Sequence, residues 1–211
     1  MRRVDGLIRG TDGRARCAWP GDDALYLDYH DREWGRPIAD DRRLFEKIVL
    51  EGFQSGLSWR TILHKRARFR EVFHDFDPAR VARFGERDVA RLLADPGIIR
   101  HRGKIEAAIA NARAAVTLIE QEGSLARVIW CFEPPAKERP ARIDLATVKA
   151  MPTTPASERL AKALKARGFR FFGPTTAYAM MQAVGLVNDH FEGCALRDEV
   201  EAARAAFARP R

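Results

Sequence analysis

Apolar residues recur at helical spacing along most of this chain, whereas the alternating pattern of a half-buried strand is scarce. In RRLFEKIVLEGF, the residues Leu44, Phe45, Ile48, Val49 and Phe53 follow the spacing of a helix with 3.6 residues per turn. The same spacing links two further sets of residues: Val89, Leu92 and Leu93, then Ile105, Ala108, Ile109 and Ala112. Because 46% of the 211 residues are hydrophobic, the chain can bury a full core. The sequence therefore predicts an all-α globular protein.

Cap and turn residues predict where some of these helices begin and end. A helix is expected from about Ser157 to Ala166, with Thr154 or Ser157 as its N-cap. Residues 133 to 155 contain five prolines and predict a long irregular connection.

The ends of the chain differ from its middle. One helical domain is expected to span residues 17 to 195. Residues 1 to 16 are expected to form a flexible N-terminal extension, and residues 196 to 211 a C-terminal tail that could form a short charged helix. No internal repeat is visible in the sequence.

Charge and cysteine content narrow the class of protein. Lys and Arg outnumber Asp and Glu by 37 to 29, which gives a net charge of +8 and a weak reason to bind polyanions. Three widely spaced cysteines do not form a disulfide framework, and residues 1 to 16 lack the continuous apolar core of a secretory signal. No apolar run reaches membrane-spanning length. We therefore expect a monomeric cytoplasmic protein that does not contact membranes.

The stretch LAKALKARGFRFFGPTTAYAMMQAVGL, residues 160 to 186, predicts two helices joined by a tight hairpin between Gly168 and Gly173. Pro174 falls in the first turn of the second helix, whose free N–H groups and positive dipole end suit a phosphate. Basic residues precede and enter the hairpin: Arg159, Lys162, Lys165, Arg167 and Arg170. They would add a salt-dependent attraction to nucleic acid. Spacing alone favours the other interpretation, an ordinary helical hairpin with a solvated basic face.

This stretch resembles the helix-hairpin-helix element of DNA glycosylases, which holds duplex DNA by its backbone. The chain as a whole resembles the 3-methyladenine DNA glycosylase I family in four further blocks: CAWPGDDALYLDYHDREWG, LFEKIVLEGFQSGLSW, GIIRHRGKIEAAIANAR and GLVNDHFEGC. The ordered set spans residues 17 to 194 and is far more specific than any single block. The resemblance implies an all-α helix-hairpin-helix DNA glycosylase fold in which a structural zinc site joins the N- and C-terminal regions.

The resemblance also implies an activity in base excision repair. Such a protein flips 3-methyladenine out of alkylated double-stranded DNA, hydrolyses its N-glycosidic bond and leaves an abasic site. Extruding the base costs a few kcal/mol, so the protein needs a pocket that recovers this energy. Methylation at N3 makes adenine cationic while it is attached to the sugar, so the base is already a good leaving group. Discrimination is therefore needed more than a strong acid.

Three residues match the family's base-binding positions. Glu51 corresponds to a buried carboxylate that accepts a hydrogen bond from the base edge, and a carboxylate also complements a cation. Tyr29 and Trp59 are expected to stack on the flipped base or to line its pocket, and Tyr29 and Glu51 are the expected catalytic residues. Without the resemblance, Glu51 would be interpreted as a surface residue of an amphipathic helix, and the two aromatic residues as core or semi-exposed residues.

Between Glu51 and Trp59 lies a short polar loop around one leucine. In related enzymes this loop probes the lesion, so Gln54, Gly56 and Leu57 are the expected probing residues, and an apolar wedge would reduce the cost of unstacking. Alternatively, Leu57 anchors the following helix in the core. Contacts with the DNA backbone are expected from the hairpin residues Lys165, Arg167, Gly168, Arg170, Gly173 and Thr175.

Thr175 stands where bifunctional members of the superfamily carry a Schiff-base lysine, so no lyase step is expected. Asp189 lies near the position of a superfamily aspartate, but its offset fits poorly and it is given no role. The group that assists water attack is left open between Glu51 and the DNA phosphates.

By resemblance, Cys17, His30, His190 and Cys194 are the family's zinc ligands. Two Cys and two His are the usual complement of a closed tetrahedral site, although their spacing alone is weak support. Because protein fills all four positions, one Zn²⁺ per chain is expected to be structural and to fix the chain ends relative to each other. Cys131 has no such partner and is predicted to be a buried thiol.

Two other classes of protein fit parts of this sequence. A non-catalytic, zinc-stapled DNA-binding module would use the hairpin and the metal, but it would have no need of Glu51, Tyr29 and Trp59. A zinc hydrolase would need an open coordination position, which a fourth protein ligand removes.

Overall fold

A computed structural model describes residues 6–210. The described residues form eleven α-helices and one pair of short antiparallel strands, so the predicted mainly helical fold is confirmed. Among residues 6–210, none of the helices combines the length and the apolar composition that a membrane crossing requires. The elements, in chain order, are β1 (Leu7–Arg9), β2 (Ala15–Cys17), α1 (Ala24–Arg32), α2 (Asp41–Gln54), α3 (Trp59–Val72), α4 (Pro78–Val81), α5 (Glu86–Ala94), α6 (Arg102–Glu122), α7 (Leu125–Trp130), α8 (Leu145–Ala150), α9 (Pro155–Ala166), α10 (Pro174–Ala183) and α11 (Arg197–Ala206).

Helix α2 lies in the core of the molecule. The Asp40 side chain caps its start by accepting a hydrogen bond from a backbone N–H of the first turn at 2.8 Å. Ten consecutive residues, 44–53, are buried, because α3, α6, α7 and α10 all contact the helix. A helix that is buried on all sides has no solvated face. Its polar residues Glu46, Lys47 and Glu51 must therefore face partners or a cavity.

Periodicity and cap residues located several helices correctly. The three apolar sets of the sequence lie in α2, α5 and α6. Thr154, rather than Ser157, is the cap of α9, and its hydroxyl accepts a hydrogen bond from the Ser157 N–H at 3.1 Å. The helix ends at Ala166 as predicted, and Gly168 follows in the left-handed region with φ of +91°.

The connection between residues 133 and 155 is more regular than predicted. It contains a 3₁₀ turn, Ala136–Glu138, and the short helix α8. Asp144 starts α8 by accepting a hydrogen bond from the Thr147 N–H at 2.9 Å, and no proline falls inside the helix. The prolines of this segment therefore lie between short helical elements and do not prevent these elements from forming.

The prediction that Cys131 is a buried thiol is wrong. Cys131 is exposed, and its Sγ donates to the Arg127 carbonyl oxygen at 3.2 Å. The buried side chains of α7 end at Trp130, and Cys131 is the first residue after the helix. In the sequence, Cys131 continues the apolar run that ends α7, but in the structure it lies one residue beyond the buried face of that helix.

A small second core joins the two ends of the chain. The Ala195 N–H donates to the Ala15 carbonyl oxygen at 2.8 Å, so the C-terminal segment lies beside β2. The strand pair was not predicted, because three-residue strands are too short for an alternating pattern to be recognised. Residues 1–5 of the predicted extension lie outside the described residues. The buried residues of this second core are Leu7, Cys17, Ile143, Phe191, Cys194 and Leu196.

Candidate active site

An aromatic cavity of about 300 Å³ lies beside α2. Helix α1 supplies Tyr26 and Tyr29, which are three residues apart and so lie on one face of the helix. Trp59, the first residue of α3, lines the cavity as well. Trp19 from before α1 and Trp34 from after it complete the aromatic wall. A cavity of this size and composition suits a flat heterocycle.

The aromatic rings pack against one another. The centroid of the Trp19 ring lies 5.0 Å from those of Tyr26 and Trp34, and the Tyr29 and Trp59 centroids are 5.4 Å apart. These separations are typical of packed aromatic pairs, so the wall is formed before any ligand enters. Burial raises the pKa of Tyr26 to about 12 and that of Tyr29 well above its ordinary value. Both hydroxyl groups therefore stay protonated at neutral pH.

The Glu51 carboxyl lines the same cavity and is 5% exposed. Within residues 6–210 it takes part in no hydrogen bond or ion pair. Burial raises the pKa of Glu51 to about 8, although the nearby Lys47 lowers it. Burying an unpartnered carboxyl is unfavourable. The cavity therefore holds a hydrogen-bonding group that is available to a ligand.

Trp59 Nε1 is a second polar atom without a partner. Among the side-chain nitrogen and oxygen atoms of the described residues that are themselves inaccessible to solvent, it alone forms no hydrogen bond. An indole N–H can only donate, so this buried donor has no acceptor among the described residues. Glu51 and Trp59 thus each bring an unpaired polar group to the region of the cavity.

A chain of charged residues lies behind the aromatic wall. Lys47 Nζ is 2.5 Å from Glu33 Oε1, and Glu33 in turn accepts hydrogen bonds from Arg66 at 2.8 Å. The Lys47 ammonium lies 4.6 Å from the Tyr29 ring centroid and 5.3 Å from that of Trp59, within cation–π range. The three charged residues come from separate elements, so their proximity could not be inferred from sequence spacing.

Asp189, which the sequence left without a role, also lines the cavity together with Gln182. Asp189 is 1% exposed and accepts hydrogen bonds from Tyr178 Oη, Gln182 Nε2 and the Arg139 guanidinium. These donors occupy its carboxylate oxygens. Asp189 therefore holds one wall of the cavity together and differs from Glu51, which has no such partner.

Four aromatic residues of the cavity were not predicted from the sequence: Trp19, Tyr26, Trp34 and Phe191. A signal for the first three existed, because the block CAWPGDDALYLDYHDREWG holds four Trp and Tyr residues within 19 positions. That density exceeds the overall aromatic content of 9% and marks the segment as a possible aromatic wall. The remaining Trp or Tyr residue of the block is Tyr29, which was predicted.

The loop between α2 and α3 borders the cavity. Gln54 lines the cavity, and Gly56 turns the chain with φ of +78°. Leu57 is 40% exposed, so it does not anchor α3 in the core. Lys104 fixes the start of the loop by donating to two carbonyl groups at the end of α2, at 2.9 and 2.6 Å. An adjoining groove is lined by Gly56, Leu57 and Thr175, so the loop and the start of α10 share one surface.

The hairpin between α9 and α10 is held from behind by Asn111 of α6. Its Oδ1 accepts from the Arg170 N–H at 2.7 Å, and its Nδ2 donates to the Arg170 carbonyl oxygen at 3.0 Å. At Gly173 an added Cβ would meet no atom of the described residues within 4 Å, so the start of α10 is open to a ligand. All six residues predicted to contact the DNA backbone are exposed: Lys165, Arg167, Gly168, Arg170, Gly173 and Thr175.

Three of the four predicted metal ligands form a buried cluster. The ligand atoms of Cys17, His30 and Cys194 all lie within 4.8 Å of one another, and both cysteines are free thiols. His30 Nε2 is 3.7 Å from Cys194 Sγ, while His30 Nδ1 hydrogen-bonds to Asp31 at 2.7 Å. The contact with Asp31 fixes the ring and leaves Nε2 for a metal. Two thiols and an imidazole are a donor set that suits zinc.

His190, the fourth predicted ligand, is fully buried beside this cluster, and its ring centroid is 4.8 Å from that of His30. Its Nδ1 lies 3.2 Å from Asn188 Oδ1 and its Nε2 3.4 Å from the His30 carbonyl oxygen, so neither nitrogen is directed at the thiols. Burial lowers the pKa of His190 to about 4. The imidazole is therefore neutral, the form in which histidine binds metals.

The cysteine–histidine cluster adjoins the aromatic cavity. The Trp19 ring centroid is 5.0 Å from that of His30, and the Trp34 ring centroid is 4.8 Å from that of His190. Both tryptophans also line the cavity. Any group that fixes the cluster therefore also fixes two sides of the aromatic wall.

Comparison with known proteins identifies the family to which the chain is related. A model of the methyladenine glycosylase family matches residues 19–198. DNA-3-methyladenine glycosylase 1 of Escherichia coli is 51% identical over 180 residues, which are 85% of this chain and 95% of the relative. DNA-3-methyladenine glycosylase of Haemophilus influenzae is 46% identical over 180 residues, 85% of this chain and 96% of the relative.

Solved structures give the same relationship. A crystal structure of 3-methyladenine DNA glycosylase I superposes with a TM-score of 0.78 at 53% identity, covering 85% of this chain and 98% of the other. A structure addressing 3-methyladenine recognition by the Staphylococcus aureus enzyme superposes with a TM-score of 0.79 at 34% identity, covering 86% and 96%. The chain belongs to the methyladenine glycosylase family.

Proposed function

We propose that this protein is a monofunctional DNA glycosylase of base excision repair that removes 3-methyladenine from alkylated double-stranded DNA. The observation that carries the proposal is the unpartnered Glu51 carboxyl, buried in an aromatic cavity beside an exposed loop. A cationic purine needs an electron-rich enclosure and an opposite charge, and this cavity supplies both. The chain's family membership supports the same reaction.

Base recognition is assigned to Tyr29, Glu51 and Trp59. The two aromatic rings, 5.4 Å apart, enclose the flipped purine, and the ionised Glu51 accepts a hydrogen bond from its edge. The attraction between Glu51 and the base is greatest while the base carries its positive charge. Undamaged adenine is neutral and lacks that attraction, so the cavity discriminates by charge as well as by shape.

Extrusion of the base is assigned to the loop between α2 and α3. Leu57 enters the space that the base vacates, while Gln54 and Gly56 let the loop approach the stack. The α9–α10 pair acts as a helix-hairpin-helix element: its backbone and the basic residues Lys165, Arg167 and Arg170 grip the phosphates beside the lesion.

Bond cleavage is a hydrolysis. The C1′–N9 bond breaks with its electron pair moving to the base, so the cationic purine leaves as neutral 3-methyladenine. Water then supplies the hydroxyl group at C1′, and its second proton is released to solvent. Thr175 occupies the position at which a lyase would carry its lysine, so the chain offers no amine there for a Schiff base. Tyr29 and Glu51 are the catalytic residues because they contact the departing base.

A structural Zn²⁺ is proposed for the cluster of Cys17, His30 and Cys194, with His190 as the fourth ligand. The buried thiols and imidazoles fit the donor chemistry of this metal. When bound, the ion would crosslink the chain ends beside the aromatic wall. Residues 17–195 are then the glycosylase domain of a monomer, flanked by an N-terminal extension and a C-terminal tail.

The proposed function is tested by incubating the protein with methylated duplex DNA and identifying the released bases by chromatography. Release of free 3-methyladenine, with abasic sites left in an unbroken strand, is the expected result. A non-catalytic DNA-binding module would bind the duplex and release no base, and that outcome would refute the proposal.

A further inference from the structure

A buried ammonium group lies directly behind the base cavity. Lys47 is 2% exposed, which is unusual for lysine. Packing does not explain the charge, because an apolar side chain of similar length would fill the same space without the cost of desolvation. Lys47 contacts neither solvent nor the surface assigned to DNA. Its charge must therefore act on groups inside the protein.

Two carboxyl groups flank Lys47, which also donates a hydrogen bond to Tyr29 Oη at 3.4 Å. Glu33 is its ion-pair partner at 2.5 Å. Glu51 is the second, because residues four apart on a helix lie one above the other, and Glu51 is one turn beyond Lys47 on α2. The ammonium also lies over the Tyr29 and Trp59 rings, 4.6 and 5.3 Å from their centroids.

We propose that Lys47 is a positioning residue that controls the proton on Glu51 and thereby makes the cavity select positively charged bases. This inference rests on the proposed glycosylase function. Lys47 does not touch the base. It acts through Glu51, which does.

The sign of the effect follows from the charges. A positive group one turn away favours the carboxylate form of Glu51, whereas burial favours the neutral acid. Arg66 holds Glu33 in place at 2.8 Å, so Lys47 keeps its position.

Other charged or titratable groups near Glu51 cannot replace Lys47. Burial keeps Tyr26 and Tyr29 of α1 protonated. Lys104 of α6 donates hydrogen bonds to two carbonyl groups at the end of α2. Asp189, after α10, accepts three hydrogen bonds of its own. Lys47 is therefore the cation whose removal should change the ionisation of Glu51 most.

The charge coupling is measured directly by NMR titration of the full-length protein labelled with ¹³C at the glutamate side-chain carboxyl carbons. The Glu51→Gln variant assigns the signal. In Lys47→Met the titration midpoint of Glu51 is expected to rise by about one pH unit, because a favourable positive charge is lost. Lys47→Gln, which keeps a polar contact for Glu33, provides a second neutral variant if Lys47→Met does not fold.

Lys137→Met is the matched control, since it removes an exposed lysine charge outside the base cavity. Its Glu51 midpoint should stay at the wild-type value, because solvent and salt screen exposed charges. An unchanged Glu51 midpoint in either folded Lys47 variant would overturn the inference.

Excision rates provide an independent readout between pH 6 and 9. If the Glu51 carboxylate is the active form, Lys47→Met should be roughly tenfold slower below the midpoint and should approach the wild-type rate at high pH. Lys47→Arg should restore the wild-type profile. A purely structural defect would lower the rate equally at every pH, and that result would contradict the inference.

Charge selection is tested with a duplex that contains 3-deaza-3-methyladenine, a neutral isostere of the lesion. Lys47→Met should leave binding of this duplex unchanged, and an equal loss on both lesions would count against charge selection.

If the wild-type protein releases no 3-methyladenine, the proposed function fails. The carboxyl titration does not depend on turnover, so the two failures are distinguishable.

Discussion

A buried carboxyl group without a partner makes a protein less stable, and Glu51 is in this position. Burial raises its folded-state pKa to about 8, from the ordinary value of 4.5. Between these two pH values the folded protein holds a proton that the unfolded chain has released. The free energy of unfolding therefore falls as pH rises through this window. Glu51 is a residue at which stability is lower because the site needs a charge.

The variant Glu51→Gln should therefore be more stable than the wild-type protein at pH 8, by about 4 kcal/mol, and nearly equally stable at pH 4.5. Urea unfolding at the two pH values measures the difference. The same variant should excise 3-methyladenine roughly 10- to 100-fold more slowly, because a charged hydrogen bond to the base is lost.

The exposed Glu120→Gln on α6 is the control for both measurements and should alter neither. A Glu51→Gln protein that is less stable at pH 8 would show that the carboxylate has a partner inside the fold. Unaltered excision would remove Glu51 from the catalytic residues.

Sequence reasoning found Glu51, Tyr29 and Trp59 because a family pattern singled them out, and it could not find Lys47. Lys47 looks like any other polar residue of an apolar helix, and its role depends on Glu33 and Arg66, which lie on other elements. Chemistry that arises from three separate segments leaves no periodic signal in the sequence. The same reason explains why the three donors to Asp189 were missed.

At the scale of elements, the loop between α2 and α3 is expected to act during base extrusion and not during base binding. Leu57→Ala should slow excision from duplex DNA by about tenfold, because the apolar wedge no longer offsets unstacking. Binding of free 3-methyladenine, followed by tryptophan fluorescence, should be unchanged. Leu25→Ala is the matched control, since Leu25 is 41% exposed and Leu57 40%. Equal effects of the two substitutions on excision would show that Leu57 has no special role.

The proposed phosphate contacts of the α9–α10 hairpin predict how DNA binding depends on salt concentration. If Lys165 and Arg170 each neutralise one phosphate, replacing either by alanine should lower the slope of log Kd against log salt by about one unit. Lys149→Ala, on α8, removes an exposed charge outside the hairpin and should leave the slope unchanged. Fluorescence anisotropy with undamaged duplex measures all three variants. An unaltered slope for both hairpin variants would place the phosphate contacts elsewhere.

An element could be predicted from the sequence when it was long enough to show a hydrophobic pattern and when cap residues marked its ends. The helix at residues 155–166 was predictable because Thr154 and Gly168 mark its limits and its apolar face is regular. Helix α8 has six residues and no buried side chain, so it leaves no hydrophobic pattern, and the surrounding prolines obscure it. The two three-residue strands depend on pairing with each other, which a local pattern cannot show.

At the scale of the whole molecule, the cluster of Cys17, His30 and Cys194 lies against the wall of the aromatic cavity. Cys17 and Cys194 are separated by more than 170 residues, yet both lie in the same small core. Closing so long a loop removes much of the entropy of the unfolded chain. His30 and His190 meanwhile contact Trp19 and Trp34 of the cavity wall. Metal binding should therefore stabilise the fold and shape the base cavity together.

Replacing one thiol tests this connection. Cys194→Ala should lower the zinc content, measured by mass spectrometry of the intact protein, from one ion per chain to near zero. The free energy of unfolding should fall by more than about 3 kcal/mol, because binding energy of the metal is folding energy. Chelation of the wild-type protein should have the same effect. Cys131→Ala should keep both the ion and the stability, because Cys131 is exposed and lies outside the cluster.

The order in which stability and activity are lost separates a structural metal from a catalytic one. A structural ion predicts that a Cys194→Ala protein, still folded at low temperature, keeps measurable excision and loses it on warming as the wall around Trp19 and Trp34 loosens. A catalytic ion predicts the reverse, an intact and stable fold without any base release. The contacts of His30 and His190 favour the first outcome, because they involve the Trp19 and Trp34 rings of the cavity wall, while Glu51 belongs to α2. Unfolding and excision measured on one preparation across a temperature series would decide between them.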